Sequence, residues 1–156
     1  MADYIVESRM WLPKPRAEVF AFFADPANLV RVAPPSLRLR LLGPPPVMSA
    51  GATFDLRLRW LGLPLRWRVF VREYDPPFRF LDVQVCGPCA RWEHRHIFLA
   101  EAGGTTVEDR IVYRLPLGPL GRLAHALFVR RQLEATWEHR RRKIGELLAP
   151  VSESPP

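Results

Sequence analysis

Four side chains between positions 94 and 113 have the chemistry to move a proton or polarise a carbonyl: His94, His96, Asp109 and Tyr113. An imidazole backed by a carboxylate is a general acid/base, and a phenol can donate a hydrogen bond to a carbonyl oxygen. All four belong to one stretch, Arg91–Leu115, that reads as two alternating strands joined by Glu101-Ala102-Gly103-Gly104. Alternation puts Trp92, His94, His96 and Phe98 on one face of the first strand, with Arg91, Glu93 and Arg95 on the other. On the second strand Val107, Asp109, Ile111, Tyr113 and Leu115 share a face, opposed by Thr106, Glu108, Arg110 and Arg114. With all four turn residues unpaired, His96 stands opposite Asp109, His94 opposite Ile111 and Trp92 opposite Tyr113. A tighter Gly-Gly turn keeps the faces and slides the partners by two. In both registers two imidazoles, a carboxylate and a phenol sit on an otherwise apolar inner face, a mixture suited to a pocket.

The plainer role for His94 and His96 is that of hydrogen-bonded cavity residues, oriented by Asp109, Asp82 or Gln84. The sharper role is acid/base chemistry on a bound ketone or enol. Cys86-Gly87-Pro88-Cys89 spells a dithiol motif, but a redox cysteine of that kind opens a helix, and the residues that follow alternate like a strand. A hairpin turn explains the Gly-Pro pair better. The two cysteines with His94 and His96 could also be counted as zinc ligands. The cysteines lie at a hairpin end, however, and the histidines' Cβ atoms, two residues apart on one face, are about 7 Å apart. No metal site and no cofactor are expected.

The elements that position this hairpin follow from the rest of the chain. Tyr4–Leu12 alternates as a strand, stopped by Pro13-Lys14-Pro15, with Pro15 placed to open a short helix, Arg16–Ala24. Asp25 is a suitable N-cap for a second, Pro26–Val32. Leu37–Leu42 is a strand closed by Gly43-Pro44-Pro45-Pro46. Thr53–Trp60 and Leu65–Tyr74 form a hairpin around Leu61-Gly62-Leu63-Pro64, with Phe54, Leu56, Leu58 and Trp60 facing Val71, Val69, Trp67 and Leu65. Its other face carries Arg57, Arg59, Arg66, Arg68 and Arg72, and this register sets Arg57 against Arg68 and Arg59 against Arg66, an unfavourable opposition unless the chains splay into water. Phe78–Cys86 follows, pairing Tyr74 with Arg79 and turning Phe80, Asp82 and Gln84 inward. Leu120–Leu148 is a long helix. Its apolar stripe begins at Leu120, Leu123, Ala124 and Leu127 and continues rotated at Leu133, Trp137, Ile144 and Leu148, which predicts a bend near Val129–Gln132 or a helix that turns its contact face from one structure to another. Antiparallel strands kept apart from helices make an α+β domain over residues 1–149, with 150–156 a disordered tail.

Composition narrows the function classes. The 156 residues carry a net charge of +7, nearly all from Arg, since Lys occurs only at Lys14 and Lys143. No nucleic-acid motif accompanies that charge, so no nucleic-acid partner is expected and the arginines read as a solvated exterior. No apolar run can span a bilayer and no secretory leader opens the chain, which points to the cytoplasm. Membrane contact is not indicated, and oligomeric state is open.

The order of elements resembles the helix-grip fold of the START-related (SRPBCC) superfamily, over nearly the whole chain. The local motifs are similar to bacterial members of polyketide cyclase/dehydrase-like or ligand-binding type. They are Pro-Arg-Ala-Glu-Val-Phe at 15–20, Asp25-Pro26-Ala27-Asn28-Leu29, Pro76-Pro77-Phe78-Arg79-Phe80, Trp92-Glu93-His94-Arg95-His96, Gly104-Thr105, Asp109, Tyr113-Arg114-Leu115-Pro116, and Gly118 before the long helix. The resemblance implies about seven curved strands around the C-terminal helix, and an internal cavity between them that holds an apolar small molecule. On that basis the wall should comprise Phe54, Leu56, Leu58, Trp60, Trp67 and Val69 on one hairpin, and Phe80, Asp82 and Gln84 on the next strand. Trp92, His94, His96, Phe98, Asp109, Ile111 and Tyr113 should come from the central hairpin, with Leu127 and Trp137 from the helix. The expected role is a carrier or sensor of a lipid, sterol-like or polyketide-like molecule. The alternative is a cyclase/dehydratase-type enzyme using His94, His96, Asp109 and Tyr113.

Overall fold

A computed structural model describes residues 2–149. The elements are β1 (Tyr4–Leu12), α1 (Arg16–Ala24), α2 (Pro26–Val32), a 3-10 turn (Pro35–Leu37), β2 (Arg40–Leu42), β3 (Thr53–Trp60), β4 (Leu63–Asp75), β5 (Arg79–Cys86), β6 (Arg91–Glu101) and β7 (Gly104–Arg114), then a C-terminal helix. That helix is α3 (Gly118–Ala124), a π-turn (His125–Val129) and α4 (Arg130–Leu147). The seven strands form one antiparallel sheet in the order β1-β7-β6-β5-β4-β3-β2. The expected 150–156 tail lies outside the described residues. None of the described helices is long and apolar enough to cross a membrane.

Local chemistry accounts for the start of the chain. Pro15 occupies the N-cap position of α1 rather than its first turn, and the Asp25 carboxylate accepts a 2.9 Å bond from the Ala27 N–H to cap α2. Leu37 belongs to the 3-10 turn, so β2 is shorter than the expected Leu37–Leu42. The sheet buries its inner face against two clusters. Leu12, Phe20, Phe80, Phe98, Val107 and Ile144 form one; Ile111, Tyr113, Leu115 and Val129 form the other. Ile144 and Val129 thus anchor the two ends of the C-terminal helix, and the cavity lies between them.

Two expectations about register are corrected, and a third register holds with a tighter turn than expected. The β6–β7 pairs are those of the wider turn, His96 with Asp109 and Trp92 with Tyr113, but Glu101 pairs Gly104. The turn is the two residues Ala102 and Gly103, both at positive φ (46° and 75°), the geometry that matches strand twist. The β3–β4 hairpin closes the same way through Leu61 (φ 50°) and Gly62 (φ 81°), so Trp60 pairs Leu63, Leu56 pairs Trp67 and Phe54 pairs Val69, two residues away from the expected register. The faces survive because side chains repeat every two residues. On the outer face Asp55 now stands opposite Arg68, with its carboxylate 2.8 Å from Arg68 Nε and also bonded to Arg66. The arginine face expected to splay into water is therefore partly neutralised by Asp55. On β5, Val71–Asp82 and Val69–Gln84 pair as expected, but a bulge between Val71 and Glu73 makes Tyr74 pair Phe80 instead of Arg79.

The helix bend is a π-turn one turn earlier than expected, at His125–Val129. The first leucine stripe does not face the sheet: Leu120, Leu123 and Leu127 are exposed. Gly121 explains this. Its α-carbon lies against the Pro116 carbonyl with no room for a Cβ, which turns the glycine edge of α3 inward and the leucines outward.

Candidate functional site

The cavity between sheet and helix has a volume of about 180 Å³ and a predominantly apolar wall. Thirteen of the residues expected there line it: Phe54, Leu56, Leu58, Trp60, Trp67, Val69, Phe80, Asp82, Trp92, His94, His96, Tyr113 and Trp137. Alternation alone delivers the strand residues, since β3, β4, β5 and β6 each turn one face inward. Trp67 and Trp92 meet edge to face at 4.9 Å, and Trp92 and Tyr113 at 5.9 Å, making one end of the cavity an aromatic cage.

Five expected wall residues lie elsewhere. Leu127 is exposed on the π-turn. Phe98 and Ile111 are fully buried in the two core clusters. Asp109 is buried behind the histidines. Gln84 serves the β5–β6 turn instead of a histidine: it donates to the Cys89 carbonyl at 2.6 Å and accepts from the Cys89 N–H at 3.2 Å. A side chain at Gly87 would run into Gln84, so the Cys-Gly-Pro-Cys sequence is explained by packing. Cys86 is exposed and Cys89 buried, and burial pushes the Cys89 thiol up to about 12, the opposite of redox activation.

The polar end is a chain of four groups. His94 Nε2 lies 3.1 Å from Asp109 Oδ1, and His96 Nε2 lies 3.2 Å from Asp82 Oδ2. His96 Nδ1 approaches Asp109 Oδ1 to 2.7 Å, close enough for strong attraction but off the directions of a good hydrogen bond. The two imidazole centroids are 3.7 Å apart, much nearer than the strand spacing, because both rings lean toward Asp109. Burial disfavours charge on both rings. For His94 burial prevails, helped by repulsion from His96, and its pKa is lowered. For His96 burial is outweighed by the charge and hydrogen bonding of Asp109 and Asp82, and its pKa is raised. Burial would also raise Asp109, but His96 and the bonds from both rings hold its carboxyl well below the usual range. These directions favour a neutral His94, an ionised Asp109 and, when the site takes up a proton, its placement on His96 between two carboxylates.

Asp82, His94 and His96 each offer a donor atom within 4.8 Å of the others, a set able to approach one metal ion. Such an ion would have to displace the proton on His96 and would share the wall with the Arg140 guanidinium, so the donor set fits a hydrogen-bond relay better than a cation. Tyr113 stands apart from this relay, its hydroxyl 2.7 Å from His125 Nε2.

Strand alternation could not reveal the wall contributed by other elements. Phe23, Leu29, Val32, Pro34 and Leu37 come from the α1–α2 region and Met48 from a loop. Leu133, Thr136 and Arg140 come from α4. For Arg140 a signal existed: Leu133, Trp137, Arg140 and Ile144 follow one another at spacings of four, three and four, a single helical stripe.

Comparisons with known proteins agree with this architecture. A search of curated proteins finds no match. Among solved structures, a protein from Thermus thermophilus superposes with a TM-score of 0.72 at 22% identity, over 96% of this chain and 100% of that one. A START superfamily protein from Mycobacterium smegmatis gives 0.70 at 12% identity, over 92% and 96%. The di-domain ARO/CYC StfQ of the steffimycin biosynthetic pathway gives 0.69 at 15% identity, over 94% of this chain and 50% of that one. These likenesses establish a helix-grip fold. Residues 12–137 match the family described as polyketide cyclase/dehydrase and lipid transport, and the chain belongs to that family.

Proposed function

We propose that this protein binds a small, largely apolar molecule in the cavity between sheet and helix, as a carrier or sensor. The observation that carries the reading is the cavity itself: about 180 Å³, walled by Trp60, Trp67, Trp92 and Trp137 as well as aliphatic side chains. An engineered apolar cavity of about 150 Å³ takes up benzene, so one or two rings fit here without rearrangement and a sterol-sized guest requires the walls to move. Burial of a guest contributes about 25 cal/mol for each Å² withdrawn from water, less the cost of association, which places affinity in the micromolar range. Titration with naphthalene and its simple derivatives, followed by tryptophan fluorescence, tests this. Saturable micromolar binding is expected, and absence of binding across the series defeats the reading.

The relay of His94, His96 and Asp82 on the wall, with Asp109 buried behind the histidines, favours a second reading, a cyclase- or dehydratase-type enzyme in which this relay moves protons on a bound ketone or enol. Tyr113 contributes through its bond to His125 rather than beside the imidazoles. Turnover of a polyketone that disappears in His94→Gln, with binding retained, would select this reading over the carrier.

A further inference from the structure

Among the described residues Arg140 is the one Lys or Arg on the cavity wall, where its half-buried guanidinium has lost part of its hydration. It projects from α4 one turn beyond Thr136, another wall residue. Its guanidinium lies 5.3 Å from the Trp137 ring and 5.9 Å from that of Phe23. Its Nε is sealed from solvent with no hydrogen-bond partner, and among the described residues none of its nitrogens has a carboxylate within 4.0 Å. Burying a charge without a partner is strongly unfavourable, and contact with two aromatic faces recovers only part of that cost. Arg140 lines the cavity, so its guanidinium N–H groups are the donors a guest would meet. The nearby carboxylates do not supply the missing partner: Asp109 is occupied by both imidazoles, and Asp82 is held at 3.2 Å by His96.

We propose that the cavity's guest carries a carboxylate, which pairs with the Arg140 guanidinium while the aromatic or alicyclic body occupies the tryptophan-lined end. A carboxylate fits the planar donor edge of a guanidinium with two parallel bonds, whereas a neutral carbonyl or hydroxyl satisfies only one. Thr136 supplies a hydroxyl on the same helical face. Asp82 and Asp109 balance the charge of Arg140 only from a distance: their direct contacts are with the imidazoles, and no carboxylate among the described residues bonds the guanidinium. The guest is therefore an amphipathic aromatic or alicyclic acid, a narrower class than apolar molecules in general.

The inference rests on the cavity being a binding pocket, and a matched set of probes separates the two. 2-Naphthoate, its neutral isostere 2-naphthamide, and naphthalene are titrated into wild type, Arg140→Met and Arg140→Lys at neutral pH. In wild type, 2-naphthoate should bind at least about tenfold more tightly than 2-naphthamide, the effect of one charge-assisted contact. Arg140→Met should abolish that ratio while leaving naphthalene affinity within about twofold or improved. Arg140→Lys should keep part of the preference, because the charge remains. Equal affinity for acid and amide in wild type, with naphthalene still bound, overturns the proposal and leaves the pocket standing. A preference that survives in Arg140→Met also overturns it and assigns the charge to His96. If no probe binds, the pocket reading falls and this one with it. Should Arg140→Met fail to fold, the wild-type ratio and its reduction in Arg140→Lys still decide.

Discussion

The arginines outside the sheet and the arginine inside it live by different rules. On the outer face Arg66 and Arg68 share Asp55, Arg91 and Arg114 share Asp3, and Arg72 reaches Glu93, all in contact with water. Such pairs hold their carboxylates ionised, as at Asp55, yet most of what is gained in attraction is returned as screening and lost side-chain freedom. Inside, the same chemistry is concentrated in five groups, His94, His96, Asp82, Asp109 and Arg140, where little water screens them. The net charge of +7 belongs to the exterior, while the second set supplies the charged groups at and behind the cavity wall.

The sharpest way to break this contrast is Asp109→Ala. It leaves two buried imidazoles without their common carboxylate, and the loss of one partner in a buried ionic network costs about 3–5 kcal/mol. Urea denaturation at neutral pH should show it. A loss below about 1 kcal/mol would place Asp109 with the exposed carboxylates.

A smaller effect separates the two histidines by pH. His96 has a raised folded pKa, so its contribution is full below the ordinary value of 6.5 and is lost as pH rises through the folded value. His94 has a lowered one, so its contribution is full above 6.5 and is lost as pH falls toward the folded value. In His96→Gln stability should therefore rise as pH climbs toward 6.5 and level off above it, and in His94→Gln it should fall as pH rises above 6.5. Urea midpoints at several pH values test this; variants whose slopes match each other and wild type would show that neither ring titrates in this window.

The smallest effect belongs outside. Asp55→Asn should shift the denaturation midpoint far less than Asp109→Ala, and raised salt should erase the shift. A salt-independent loss comparable to that at Asp109 would dissolve the distinction between the two faces.

Much of this arrangement is legible in the amino-acid sequence, and the rest is hidden for identifiable reasons. Alternation reveals which face of each strand turns inward, so His94, His96 and the tryptophans of β3, β4 and β6 can be placed without coordinates. It is blind to a slip of two residues, and only the turns choose between registers. At Leu61-Gly62 the choice requires a leucine at positive φ, an uncommon conformation for that residue and one that composition does not announce. Leu127 misleads because periodicity cannot see the extra residue of a π-turn. Arg140 is hidden differently: it sits in the run His139-Arg140-Arg141-Arg142, which reads as solvated surface unless the Leu133–Trp137–Ile144 stripe is followed through it.

The π-turn also sets the timing of everything after it. Each helical residue advances the chain by about 100°, and the i→i+5 turn at His125–Val129 inserts one such step before α4 begins. Leu133, Trp137 and Arg140 reach the cavity only because that step has been taken. A single-residue deletion between Ala124 and Arg130 would leave every strand and every helix-forming residue of α4 in place, yet rotate the cavity-facing stripe by about a quarter turn. The lid would remain a helix of the same length over the same sheet, but its cation and its tryptophan would point along the rim. The pocket's chemistry is in this sense a matter of phase, set by five residues that contribute to its wall only through Val129.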